Sequence, residues 1–476
     1  MITLHEKIEV NRPVEEAFAY LADFRTSEQW DSTVISATKR SSGPIGSGTR
    51  FEVICRQPLG SLSFAYTLTH HEPGTLLKLH GRGRFFDVDD EIRFAETATG
   101  TLIDYRATFT FKGRLDALAD RFRTGLQQMG YDSVQGLKRA LEDNFPAPVL
   151  SRSGRWRQRL VIPALADFTR FGYTKGKKRW LPVSRWMGKK HVVITGASAG
   201  LGLAAAQRLA ELGAELTLVI RNENKALELK QAIERESGNS RIHIEIADLS
   251  LMADVDRLVR RLVLSGKPID VLVNNAGALF NPREETSEGL ERSFALLLLS
   301  PFRLTEGLKP LLATAGQARV INVVSGGMYS QRLDLQRLEA PPDSYSGSVA
   351  YARAKRGLMI VTQLWAQAWK GDNIVVNAMH PGWARTPGVE SALPTFNRLT
   401  GPLLRTPEQG ADTIVWLATA SEAARVTGEL FLDRAPRTTH LMASTRETPR
   451  ERSALMEALK TYRAGPSDPA LAAIAS

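Results

Sequence analysis

His191-Val192-Val193-Ile194-Thr195-Gly196-Ala197-Ser198-Ala199-Gly200-Leu201-Gly202 is an apolar run that breaks directly into a glycine-rich turn. Residues 203–212 continue with helical character, so the stretch reads strand, tight loop, helix. Glycine is needed here for three separate reasons. Gly196 permits the turn, Gly200 lets backbone approach a pyrophosphate, and Gly202 lets the helix pack on the sheet. The helix N-terminus then presents free N–H groups and its dipole to the phosphates, with Thr195, Ser198 and Leu201 in the same loop. Further short apolar runs follow at 216–220, 242–246, 270–273, 320–324 and 374–378, separated by helical stretches. Such runs mark strands buried on both faces, and their alternation with helices predicts an α/β, Rossmann-type, doubly wound parallel sheet.

Upstream the pattern differs. Residues 1–145 alternate apolar and polar side chains, as in Phe51-Glu52-Val53-Ile54, which predicts strands with one buried face. The order is a strand (2–10), a short helix opened by Pro13, about six strands, and a long final helix carrying Leu115, Leu118, Phe122, Leu126, Met129, Val134, Leu137 and Leu141. That order predicts an α+β domain with a cleft between sheet and helix. His70-His71-Glu72 does not read as a metal site, because successive strand residues face opposite ways. No metal site is expected.

The net charge is +11, and between 151 and 190 there are twelve Arg or Lys against one acid, Asp167. The excess therefore sits in one segment, which argues against a generally basic nucleic-acid binder. Trp156, Phe168, Phe171, Tyr173, Trp180 and Trp186 interleave with these cations. Two readings stand: peripheral contact with an anionic membrane surface, or a linker whose aromatics pack on the flanking domains. Pro163 and Pro182 interrupt any long amphipathic helix and favour the second. The expected organisation is a domain at 1–145, a basic aromatic linker at 146–189, the dinucleotide-binding domain at 190–463, and a disordered tail at 464–476. A single cysteine, Cys55, excludes intrachain disulfides and Cys-based zinc sites and fits a reducing compartment. With charges in place of an export signal and no apolar run of bilayer length, the expectation is a cytoplasmic protein, at most associated with a membrane surface.

The motifs after the glycine loop fall in a particular order: Asp248-Leu249, Asn274-Asn275-Ala276-Gly277, Ser325, Tyr351-x-x-x-Lys355 and Pro381-Gly382-Trp383 with Thr386. Together with Gly196–Gly202 they resemble the short-chain dehydrogenase/reductase family over about 190–435. A second Tyr-x-x-x-Lys, Tyr173 and Lys177, precedes the glycine loop and is out of order. Within that family the branch called dehydrogenase/reductase family member 12 is similar in Phe168–Tyr173, in Val324-Ser325-Gly326-Gly327-Met328, and in His380-Pro381-Gly382-Trp383-Ala384. The motif Phe168-Thr169-Arg170-Phe171-Gly172-Tyr173 lies in the basic segment, which implies that it belongs structurally to the dehydrogenase domain. Residues 1–145 resemble the helix-grip superfamily of polyketide cyclases and START-like lipid carriers, through Pro13-Val14-Glu15-Glu16-Ala17-Phe18-Ala19-Tyr20-Leu21-Ala22-Asp23 and Trp30-Asp31.

The resemblance implies an enzyme with Ser325, Tyr351 and Lys355 as catalytic residues. Tyr351 exchanges a proton with a carbonyl or alcohol oxygen, and Ser325 hydrogen-bonds the same oxygen. Lys355, one helical turn on, is expected to lower the Tyr351 pKa and to bind the nicotinamide ribose. Cofactor contacts are expected from Thr195, Gly196, Ser198, Gly200, Leu201, Gly202, Arg221, Asp248, Leu249, Asn274, Ala276, Gly277, Tyr351, Lys355, Pro381, Gly382 and Thr386. Arg221 follows the second strand, where an arginine suits the 2′-phosphate of NADP; NAD is the alternative. One position departs from the family pattern. Leu297, within Leu296-Leu297-Leu298-Leu299, stands where an asparagine holds a water beside the catalytic lysine. The leading function is an NAD(P)-dependent oxidoreductase acting on a carbonyl or alcohol of an apolar or lipid-like molecule that the N-terminal domain binds or delivers. The competing one is a non-catalytic dinucleotide-binding protein with a lipid-carrier domain.

Overall fold

The structure is a computed structural model that describes residues 1–57, 60–113, 119–142, 147–151, 158, 167–177, 180, 187–385 and 401–463. Thr386, the tail at 464–476, and Trp156, Pro163, Pro182 and Trp186 of the basic segment lie outside the described residues.

The N-terminal region is one antiparallel sheet built from β1 (Ile2–Val10), β2 (Val34–Lys39), β3 (Arg50–Gln57), β4 (Gly60–Glu72), β5 (Leu76–Arg82), β6 (Phe86–Glu96) and β7 (Thr101–Phe111). Their order in space is β1-β7-β6-β5-β4-β3-β2, a meander closed by β1 returning to pair with β7. Alternation does what it should: Ile2, Leu4, Ile8 and Val10 are buried while Thr3, His5, Lys7 and Glu9 face solvent. The helix Val14–Ala22 starts after Pro13 as expected, with Phe18 and Leu21 inward. The helix Ala119–Glu142 lies in the curve of the sheet with Val134, Leu137 and Leu141 buried. His71 packs edge-on against Phe18 at 5.1 Å, whereas His70 stands 3.5 Å from Glu72.

The second sheet comprises β8 (His191–Thr195), β9 (Glu215–Ile220), β10 (Ile242–Ile246), β11 (Val271–Asn274), β12 (Ala318–Val323), β13 (Ile374–Met379), β14 (Leu430–Leu432) and β15 (Ala435–Arg437). The order is β10-β9-β8-β11-β12-β13-β14-β15, parallel except for β15. The strand order reverses between β8 and β11, which opens a crevice at their carboxyl ends. The doubly wound parallel sheet expected from the sequence is therefore present. Strands β8, β11 and β12 are buried throughout, because helices cover both faces. At the edge, β10 is not. β14 and β15 went unread, since three residues are too few to show a period.

The basic segment is not a free connector where it is described. Phe168 is buried, 4.8 Å from the His380 ring and 6.2 Å from Trp383. The guanidinium of Arg405 donates to the carbonyls of Asp167, Phe168 and Thr169 and is itself paired with buried Asp433. Tyr173 meets Trp180 edge-on at 4.9 Å, and Arg434 stacks over Trp180 at 4.2 Å. Phe168–Tyr173 thus packs on the half of the chain that carries the parallel sheet, and the out-of-order Tyr173 and Lys177 take no part in the crevice. Lys177 instead pairs with Glu28 of the N-terminal domain. Among the described residues no helix is long and apolar enough to cross a membrane.

Candidate active site

The glycine loop occupies the switch point. Gly196 has φ +67°, and a Cβ there would stand 2.7 Å from the Ala276 Cα. A Cβ on Gly202 would meet the Gly196 carbonyl oxygen at 2.3 Å, so the helix Gly200–Glu211 comes this close to the loop only with glycine. Ala199 precedes that helix and offers no side-chain cap, which leaves the first N–H groups directed at the crevice. Thr195 Oγ1 accepts from the N–H of Asn275 and of Ala276, and Asn275 Nδ2 donates to the carbonyls of Thr195 and Gly196. These bonds tie the loop after β11 to the loop after β8.

The crevice holds a cavity of about 770 Å³. Gly196, Ser198, Gly200, Leu201, Arg221, Asp248, Leu249, Ala276, Gly277, Ser325, Tyr351, Lys355, Pro381 and Gly382 all line it. Three expected contacts do not. Thr195 and Gly202 lie behind the loop surface, and buried Asn274 points into the sheet, donating to Asn322 at 2.8 Å and Thr305 at 2.9 Å. Strand parity explains the last: Asn274 and Asn275 face opposite ways, so the neighbouring asparagine works at the crevice. Thr195 and Asn275 hold the two loops together. Sequence reading also missed Leu279, Phe280, Leu296 and Ala352, which with Trp383 form apolar lining of the cavity that Tyr351 also lines. Leu279 and Phe280 sit on a loop that carries no motif, whereas Leu296 lies in the four-leucine run and Ala352 inside Tyr351-x-x-x-Lys355, at positions those patterns leave unspecified.

Tyr351 and Lys355 are one turn apart on the helix Gly347–Ala368, and Ser325, two residues past the end of β12, lies beside Tyr351. Burial pushes Tyr351 up to about 12, while a hydrogen bond with Ser325 pulls the other way. Burial pushes Lys355 down to about 7. Its Nζ lies 5.8 Å from the Tyr351 ring centre and donates to the Val323 carbonyl at 2.7 Å. The expected lowering of Tyr351 by Lys355 is therefore not found. A lysine held near neutrality by desolvation supplies little positive charge to its neighbour.

Leu297 is fully buried in a π-helical turn, Ala295–Leu299, and its Cδ2 stands 3.0 Å from where a Gly277 Cβ would be. Leu296, not Leu297, faces the cavity. Neither side chain carries a hydrogen-bonding group.

A doubly wound sheet with this crevice, joined to an antiparallel sheet wrapped on a long helix, defines a Rossmann-type domain fused to a helix-grip domain. Residues 190–395 match the short chain dehydrogenase family, and residues 1–142 match the family described as polyketide cyclase / dehydrase and lipid transport. "Dehydrogenase/reductase SDR family member 12" of Bos taurus is 37% identical over 316 residues, covering 66% of this chain and 98% of the bovine protein. "Polyprenol dehydrogenase" of Mus musculus is 32% identical over 286 residues, with 58% of this chain and 84% of that protein covered. "Retinol dehydrogenase 13" of Homo sapiens is 30% identical over 252 residues, covering 51% and 76%. The chain belongs to the short-chain dehydrogenase/reductase family of oxidoreductases.

Proposed function

We propose that this protein interconverts a carbonyl and an alcohol on an apolar molecule, using NADP in preference to NAD. The observation that carries the reading is the convergence of Ser325, Tyr351 and Lys355 on one cavity that Gly196, Gly200 and Arg221 also line. A nicotinamide dinucleotide fits that cavity: uncapped helix N–H groups and the close approach that Gly196 and Gly200 allow suit the pyrophosphate, and Arg221 suits a 2′-phosphate. Once bound there, it would supply the two electrons of the redox step. The chain's own residues handle the proton. Tyr351, neutral across the physiological range, gives its phenolic proton to a carbonyl oxygen, and Ser325 Oγ hydrogen-bonds the same oxygen as negative charge grows on it. The apolar wall of Leu279, Phe280, Leu296 and Trp383 excludes water and selects a hydrocarbon-like substrate. The names of the polyprenol and retinol dehydrogenases point to the same chemical class.

The absence of a hydrogen-bonding side chain at Leu296 and Leu297 favours a second reading, in which the dinucleotide is bound but not turned over. Tyr351→Phe separates the two. Wild-type protein should oxidise NADPH in the presence of apolar aldehydes or ketones, and the variant should lose at least about 100-fold in kcat with NADPH binding retained. NADPH binding without turnover by the wild type, over a panel of such substrates, would establish the non-catalytic reading.

A further inference from the structure

Arg356 follows Lys355 on the helix Gly347–Ala368, and this cation has no exposed surface. Removing a guanidinium from water is costly, so its partners have to repay the loss. Those partners lie in two other parts of the chain. Nη2 donates to the Met328 carbonyl at 2.9 Å, and Nε donates to the Gln331 carbonyl at 3.2 Å. Nη1 donates to the Thr439 carbonyl at 2.8 Å and stands 3.3 Å from His440 Nε2. Burial pushes the Arg356 pKa down, and the Glu447 carboxylate opposes that shift. Glu447 is itself held at 2.9 Å by His440 and at 2.8 Å by Arg452. Tyr329 makes a second tie between the same segments, its buried phenol donating to the Thr438 carbonyl at 2.8 Å.

Met328 and Gln331 belong to the turn that leaves Ser325. Ser325 caps the 3₁₀ turn Gly326–Ser330, and its Oγ accepts from the Gly327 N–H at 3.2 Å. Because Oγ accepts there, its own proton is directed elsewhere, and Tyr351 is the side chain that it meets. Tyr351 stands five positions before Arg356 on the same helix. One guanidinium therefore fixes both members of the Ser325–Tyr351 pair. It rides on the helix that carries Tyr351 and grips, through two carbonyls, the turn that carries Ser325. Donors aimed at three carbonyls are what the guanidinium fork supplies and the single nitrogen of a lysine does not. Arg356 is not among the described residues lining the cavity, so it acts on the reaction only through what it holds.

We propose that Arg356 is a positioning residue, which sets Ser325 Oγ against Tyr351 by locking the turn 326–331 to the catalytic helix and to the segment 438–440. Its catalytic consequence rests on the reading that this site turns substrate over. One arm of the test uses no turnover, so the two can fail separately.

That arm is hydrogen–deuterium exchange on the full chain. The amides of Gly327, Met328 and Gln331 are hydrogen-bonded within the turn and report its opening. In Arg356→Lys the peptide spanning 326–331 should exchange roughly tenfold faster, while the peptide spanning 196–202 keeps the wild-type rate. Arg356→Met, which also removes the charge, should exceed this, with a melting curve to show that it folds. If it does not fold, the lysine variant decides alone. The second arm is NADPH oxidation with decanal or 2-octanone. Arg356→Lys should lower kcat roughly tenfold and leave the KM for NADPH within about twofold. In a Ser325→Ala background the same substitution should cost less than about twofold, because no hydroxyl is left to misplace, whereas general loosening would cost the same in both backgrounds. Absence of wild-type turnover would sink the catalytic reading and leave the exchange result to decide this one. Wild-type exchange at 326–331 in Arg356→Lys, equal acceleration at 196–202, or equal kcat losses with and without Ser325 would each overturn the proposal.

Discussion

At the scale of single residues, Lys355 and Arg221 carry the sharpest consequences. Lys355 is buried and titrates near 7, whereas an unfolded lysine titrates near 10.4. Between those values the unfolded chain holds a proton that the folded chain has released. Stability therefore rises with pH across that window, by the usual linkage. Lys355→Met removes the group, and the difference in Tm between wild type and variant should shrink steadily from pH 7 to about pH 10 if measured without dinucleotide. Arg221 lines the cavity just beyond β9. Arg221→Ala should weaken NADPH roughly tenfold or more and leave NADH almost unchanged, which paired fluorescence titrations would read.

Elements come next, and the helix Gly200–Glu211 bears most on function. Its start faces the crevice, and Gly202 lies 2.3 Å, at a would-be Cβ, from the Gly196 carbonyl oxygen. That oxygen is backbone and cannot swing aside. Gly202→Ala should cost about 1–3 kcal/mol of stability and reduce dinucleotide affinity as well, because the displaced helix carries its N–H groups with it. Denaturant unfolding and NADPH titration of the same variant check both halves. This loop and its helix were legible in the sequence because buried strand, glycines and amphipathic helix impose separate patterns on consecutive residues. The π-helical turn Ala295–Leu299 was not, since four leucines read alike in an α-helix and in a π-bulge. Only the fold shows that Leu296 faces the cavity and Leu297 does not.

For the whole molecule, the same helix reaches the other domain at its far end. Arg25 pairs with Asp23 at 2.8 Å and with Glu211 at 2.7 Å, and Arg208 reaches Asp23 at 2.9 Å and Glu211 at 2.9 Å. Two carboxylates and two guanidinium groups thus close a four-membered cluster across the domain junction, with the Asp23 side chain 7% exposed. Although burial opposes it, the two arginines hold Asp23 far below the usual carboxylate range and lower Glu211 too. Folded pKa values below the unfolded ones mean that the cluster contributes fully at neutral pH and is lost as pH falls below about 4. Removing one member of such a buried cluster costs on the order of 3–5 kcal/mol. Asp23→Ala should therefore uncouple the domains, seen as two thermal transitions where the wild type shows one and as faster proteolysis within 146–189.

The sequence by itself determined both folds and the glycine-rich loop after β8. Period-two alternation, short doubly buried runs and the glycine spacing are local constraints, and each is written in consecutive residues. It also placed Ser325, Tyr351 and Lys355 in the order that the family resemblance requires. Tertiary structure alone decided the rest. It turned Asn274 away and Asn275 toward the crevice, packed Phe168 and Tyr173 of the basic segment on the dehydrogenase half, and set Asp90 of the N-terminal domain among aromatic side chains, bonded to the Tyr105 phenol. It also joined Asp23 to Arg208 across 185 residues of chain. The reason is physical: a residue's partners and its access to water belong to chain segments far away in sequence, and periodicity reports only the side it faces.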